Sequence, residues 1–133
     1  MSGRIDRSEG ATQAHAFYLE SLALYRRLGD RRGTSQALEN LGAIAPYRGD
    51  DDTAHVCLEE SLVLRRELCD RSGIAASAWF LGHLALKRGE YRAARTLHEE
   101  CLAIERELGN ELLMAADLAS LAEIDLAPSR PSC

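Results

Sequence analysis

Ser61-Leu62-Val63-Leu64-Arg65-Arg66-Glu67-Leu68 closes the segment from Leu41 to Cys69, and it has a copy 40 positions away on either side. The earlier copy is Ser21-Leu22-Ala23-Leu24-Tyr25-Arg26-Arg27-Leu28; the later one is Cys101-Leu102-Ala103-Ile104-Glu105-Arg106-Glu107-Leu108. Other landmarks keep the same register. Leu41-Gly42 returns as Leu81-Gly82 and then as Leu121-Ala122, Gly49-Asp50 as Gly89-Glu90, Ala54 as Ala94, and Asp30-Arg31-Arg32-Gly33 as Asp70-Arg71-Ser72-Gly73. A fixed period of this size predicts stacked supersecondary units, each burying its apolar face against the next, rather than one closed fold.

Within each period the apolar residues recur at spacings of three and four. Ala14, Phe17, Tyr18, Ser21, Leu22, Tyr25 and Leu28 fall on one helical stripe that ends at Gly29. Gly29 reads as a left-handed C-terminal cap, and Asp30 as the N-cap of the next helix, with Asp70 and Asn110 at the equivalent places. Six helices are expected: about 11–28, 31–47, 50–68, 71–88, 91–108 and 111–126. Pro46 is an anomaly in the second, since proline removes an amide donor and crowds the preceding turn, so the helix is expected to end or kink there. Cys69 occupies the slot held by Gly29 and Gly109, which predicts a strained backbone if that slot requires positive φ. Residues 1–10 are expected to form a flexible arm, 11–126 one helical repeat domain, and 127–133, broken by Pro128 and Pro131, a disordered tail.

Composition narrows function by exclusion. A net charge of −5 over 133 residues argues against a nucleic-acid backbone as partner, and no apolar run approaches the roughly 20 residues needed to span a bilayer. The polar start lacks the apolar core of a signal peptide, so a cytoplasmic location is expected. Cys57, Cys69, Cys101 and Cys133 show no paired spacing and read as reduced thiols. No phosphate-binding glycine loop or nucleophile–base pattern is present, so neither catalytic residues nor a cofactor is expected. His98 and Cys101 lie three residues apart on one helix face, a spacing that places two ligands on a metal. Two ligands do not make a site, and Cys101 aligns with Ser21 and Ser61, so a packing role and no metal are expected. His15 and His55, one period apart, read as a repeated surface position.

Leu38, Leu41, Gly42, Ala54 and Leu58, repeated in Leu81, Gly82 and Ala94, resemble the tetratricopeptide repeat over about residues 11–126. Ala45 and Ala85 depart from its usual tyrosine and His98 from its usual apolar residue, and the end-of-repeat proline is missing. The 40-residue spacing is similar to long-helix variants in bacterial signal-transducing ATPases and in large transcriptional regulators that sense maltose or control antibiotic synthesis. The resemblance implies an all-α, right-handed solenoid of antiparallel helix pairs that acts as a non-catalytic scaffold. Its concave groove would hold a protein or peptide partner, lined by Gln36, Glu39, Asn40, Ala43 and Tyr47, then Trp79, Phe80, His83 and Lys87, then Ala119, Ser120 and Glu123. Trp79-Phe80 replaces Glu39-Asn40 of the preceding copy, so two aromatics stand where the neighbours are polar or small; they either anchor a partner or fill space between helices.

The first helix aligns with the second member of a pair, and the sixth with the first member. Phe17, Tyr18, Leu22 and Tyr25 at one end, and Leu118, Leu121 and Ile124 at the other, are therefore expected to leave apolar surface for self-association, as a homodimer or a head-to-tail oligomer. The alternatives are a chain that is one piece of a larger protein, or a ligand-sensing domain of a bacterial transcriptional or ATPase regulator.

Overall fold

The computed structural model describes residues 7–127, with side chains from residue 10 onward. Among them are six α-helices and no strand: α1 (Arg7–Leu28), α2 (Arg31–Ile44), α3 (Asp51–Glu67), α4 (Arg71–Lys87), α5 (Tyr91–Leu108) and α6 (Glu111–Leu126). The expected arm and tail fall, for residues 1–6 and 128–133, outside the described residues, as does Cys133. α1 is already helical at Arg7, the first described residue, ahead of the expected Ala11. Gly10 does not break it: one glycine costs a helix only about 1 kcal/mol, and Gly10, Ala11 and Ala14 line a shared cavity with Ile44 and Tyr47. Pro46 acts as expected, since α2 stops at Ile44 and the chain tightens into a short 3₁₀ turn over Ala45–Arg48.

The turns are built alike because the same local chemistry recurs. Gly29, Gly49, Gly89 and Gly109 have φ between 69° and 75°, and Cys69 takes the same slot at 54°. After each of three helices one backbone bond closes the last turn: Asp30 N to Tyr25 O, Asp70 N to Arg65 O and Asn110 N to Glu105 O, all at 3.0 Å. This is the six-to-one bond of a left-handed C-cap. Asp30 Oδ1 then accepts from Gly33 N at 2.9 Å, Asp50 Oδ1 from Thr53 N at 3.1 Å and Asn110 Oδ1 from Leu113 N at 3.4 Å, starting α2, α3 and α6.

The helices form two compact units, Met1–Asp70 and Arg71–Cys133. In the first, α1 packs on α2 and α2 on α3, around Leu22, Ala37, Leu38 and Leu41 with Tyr18, Tyr25, Cys57 and Leu64. In the second, α4 packs on α5 and α5 on α6, with Ala85, Ala94 and Ile124 backed by Leu86, Tyr91 and Leu121. The interhelical bonds repeat in register. Ser61 Oγ donates to Ser35 O at 2.8 Å and Cys101 Sγ to Ala75 O at 3.2 Å; Arg31 pairs with Glu67, and Arg71 with Glu107 at 2.8 Å. Arg26 reaches Glu60 on α3 at 3.0 Å. Close helix approach depends on glycine in both units: a Cβ on Gly42 would lie 2.5 Å from Leu58 Cγ, and one on Gly82 would lie 2.6 Å from His98 Nε2.

Candidate functional site

One position of the repeat is charged and buried in both units, but it is handled differently in each. In the first unit Arg65, 4% exposed, pairs with Glu39, and its Nη2 donates to Gln36 Oε1 at 3.0 Å. Gln36 Nε2 donates in turn to Glu39 Oε2 at 3.2 Å and Asn40 Oδ1 at 3.1 Å, which closes a polar network. In the second unit the same positions hold Glu105 for Arg65, Ala76 for Gln36 and Trp79 for Glu39. Glu105 is 4% exposed, and its Oε2 has no hydrogen-bond partner. Burial pushes its carboxyl above the usual range.

Three further buried polar residues lie beside it. His98 on α5 is fully buried with neither ring nitrogen partnered, and Asp117 on α6 is 1% exposed with Oδ2 unpartnered. Burial, helped by the nearby His83, lowers His98 to about 4; burial, helped by Glu105, raises Asp117 to about 6. Cys101, also buried, has its thiol pushed well up, chiefly by burial and then by Asp117. One donor atom each from His98, Cys101 and Asp117 lie within 4.8 Å of one another. The His98 ring rests on Gly82, and an aromatic series leads outward from it: His83 at 5.0 Å between ring centres, Trp79 at 4.0 Å from His83, and Phe80 at 5.3 Å from Trp79.

A cavity of about 290 Å³ opens against this cluster. Trp79, Phe80, Leu108 and Leu113 form its apolar wall, while Cys101, Glu105 and Asp117 supply its polar floor. Trp79 and Phe80 are thus half-buried, and both line a recess within the second unit.

The family model for the tetratricopeptide repeat matches residues 75–111, which span most of α4 and all of α5. That stretch is similar to a tetratricopeptide repeat, in agreement with the resemblance read from the sequence. A search of the curated proteins finds no match. Tetratricopeptide repeats generally mediate protein–protein interaction. No described helix is long and apolar enough to cross a membrane.

Of the groove residues that the tetratricopeptide-repeat layout implies, Gln36, Tyr47, Lys87 and Glu123 are exposed, and Glu39, Asn40 and His83 are half-buried. Glu39 and Gln36 are engaged with Arg65 and each other, so they brace α2 on α3. Glu123 of α6 lies close enough to His83 of α4 to oppose the lowering of that imidazole by burial. Two of the expected self-association residues need correction. Leu22 and Ile124 are buried in their own units, because each points at the helix beside it; Tyr18, Tyr25 and Leu121 are half-buried against the same cores. Phe17 and Leu118 are exposed, and so are Leu24, Leu28, Leu112 and Leu126, which sequence reasoning had not chosen. Asp117 was also missed. Its signal lay in the repeat register, where it follows Ala37 and Ser77, both buried.

Proposed function

We propose that the chain is a non-catalytic protein-interaction scaffold whose α6 face receives a helix of the α3/α5 type, supplied by α1 of a second copy. The observation that carries this reading is the open face of α6 in repeat register. Leu38 and Ala78 are 2% and 0% exposed under the helix that follows each, whereas their counterpart Leu118 is 48% exposed. Ser35 and Ala75 are buried but Ala115 is exposed; Gly42 and Gly82 are buried but Ala122 is exposed. Together with Leu112, Ala119 and Leu126, these residues form a stripe at three- and four-residue spacing, the pattern by which one helix takes another.

α1 supports the choice of occupant. Its Ser21 stands in register with Ser61 and Cys101, the residues that α3 and α5 turn toward α2 and α4. Phe17, Leu24 and Leu28 with Ser21 line an open apolar recess on it. An α6-to-α1 contact is heterologous and gives a head-to-tail oligomer, whereas α6 against α6 gives a homodimer. A cytoplasmic setting and a protein rather than nucleic-acid or membrane partner belong to the same reading, consistent with the acidic charge.

Light scattering over a wide concentration range tests it. The mass is expected to rise above the 14.6 kDa of one chain, and Leu118→Asp and Phe17→Asp are each expected to hold the protein monomeric. Each variant keeps one intact end, so an equimolar mixture is expected to form a dimer and nothing larger. A wild-type mass fixed at one chain, or a mixture that stays monomeric, would overturn the reading, while a Phe17→Asp variant that dimerises on its own would replace it with α6-to-α6 pairing. The cavity beside Trp79 favours a second reading, a ligand-sensing regulatory domain, and thermal stabilisation by a bound metabolite is its measure.

A further inference from the structure

We propose that His98, Cys101 and Asp117 form a binding site for one thiophilic divalent cation of the zinc type. His98 and Cys101 share one face of α5 at i and i+3, and Asp117 meets them from α6, with their donor atoms within 4.8 Å of one another. Donors around a tetrahedral ion with bonds of about 2.0–2.3 Å stand roughly 3.5 Å apart, so side-chain adjustments of about an ångström complete the geometry. These are rotations of three short side chains, not movements of helices.

Two observations independent of the spacing point to a ligand. Both ring nitrogens of His98 and Oδ2 of Asp117 are sealed from solvent and unpartnered. Buried polar groups are normally hydrogen-bonded, and an orphan costs about 1–3 kcal/mol, so several gathered at one point call for a missing partner. The second observation is the repeat itself. Leu58 and Ser61 occupy the His98 and Cys101 positions in the first unit, and Ser77 and Ala37 stand in the Asp117 register. Each of these positions is buried in its own helix without a metal donor, so burial alone does not call for the three donors.

The donor set selects the ion. One imidazole nitrogen, one thiolate and one carboxylate suit zinc, whereas calcium and magnesium require oxygen ligands. Cys101 and Asp117 also face the 290 Å³ cavity, which supplies an entry path and space for a fourth ligand. That ligand is water or Glu105, one turn beyond Cys101 and with its own orphaned Oε2. On binding, the sulfur–metal bond forms as the thiol proton leaves to solvent, and the Ala75 carbonyl loses the S–H donor it accepts here. No electron changes hands.

The test uses the whole chain freed of metal by a chelator and titrated with Zn²⁺, then with Co²⁺ as a spectroscopic probe. The expected result is one ion per chain, with a raised melting temperature. Co²⁺ is expected to give the visible bands of a tetrahedral site together with a thiolate-to-cobalt charge-transfer band. His98→Leu, Cys101→Ser and Asp117→Ser each install a residue found in the corresponding position of another copy, so folding is preserved. The first two are expected to weaken binding more than about 100-fold and the third by about 10–100-fold. Folded wild-type protein that binds no Zn²⁺ would overturn the proposal. So would affinity unchanged in His98→Leu and Cys101→Ser, which places the ion elsewhere, or bound Co²⁺ without the thiolate band. Binding is read on monomer and oligomer alike, so this inference and the assembly reading fail separately.

Discussion

The first unit closes its buried polar position with a partner, and the second leaves the same position open. Arg65 meets Glu39 and Gln36, whereas Glu105 has Ala76 and Trp79 at the equivalent positions and its Oε2 is left without a hydrogen-bond partner. Likewise Leu58 fills the space over Gly42 with carbon, and His98 fills the space over Gly82 with two unpartnered nitrogens. One backbone plan thus hosts a self-contained support in one copy and a polar recess in the other. The difference teaches that repeat register fixes where a side chain is buried, not whether its chemistry is answered there.

The sharpest way to break this contrast is to remove the partner in the first unit. Glu39→Ala withdraws the carboxylate from a buried guanidinium and is expected to lower stability by about 3 kcal/mol, read as a shifted urea midpoint. Glu105→Leu in the second unit is expected to act in the opposite direction, raising stability by about 2 kcal/mol, because a group with an orphaned oxygen is replaced by one that packs. If Glu105→Leu destabilised the chain comparably to Glu39→Ala, the two positions would be energetically alike and the contrast would be lost.

Acid titration of the metal-free chain sharpens it further. Asp117, raised to about 6, contributes stability that is full below its unfolded value and fades as pH rises through 6. His98, lowered to about 4, contributes stability that is full above 6.5 and fades as pH falls toward 4. His83 from α4, Glu105 on α5 and the Cys101 thiol also face this pair; His83 adds to the lowering of His98 and Glu105 to the raising of Asp117. The two slopes oppose each other between about pH 4 and 6. Removing one member exposes the other: relative to wild type, His98→Leu is expected to gain stability on acidification and Asp117→Ser to lose it, each by at most about 1.4 kcal/mol per pH unit. Parallel curves for the two variants would contradict the assignment. The smallest effect expected is at Cys69, where glycine relieves a positive-φ cysteine; Cys69→Gly is expected to stabilise by about 1 kcal/mol in thermal melts, matching the turns at Gly29 and Gly109.

Much of the fold was legible because its signals are local. Glycine after a helix, an aspartate or asparagine cap, and the effect of Pro46 each act within a few residues, and their outcomes follow from the sequence around them. The helical stretch ahead of Ala11 was less legible, since Gly10 reads as a breaker until Tyr47 and Ile44 are seen lining a cavity with it. The candidate site was half legible. His98 and Cys101 stood out by their spacing on one helix, but Asp117 joins them only across the α5–α6 turn, and nothing nearby in sequence distinguishes it from the exposed acids.

By itself the sequence determined the period, the six helices and the turns between them, because backbone hydrogen bonding and apolar periodicity are decided over one or two helical turns. It also determined which positions recur under cover, since register carries burial from one copy to the next. Only the tertiary structure decided what meets at those covered positions: that Arg65 finds Glu39, that Glu105 lines a recess with no partner for its Oε2, and that Leu118 lies open while Leu22 and Ile124 do not. The energy of a buried polar group depends on the atoms across from it, and those are brought there by helix packing.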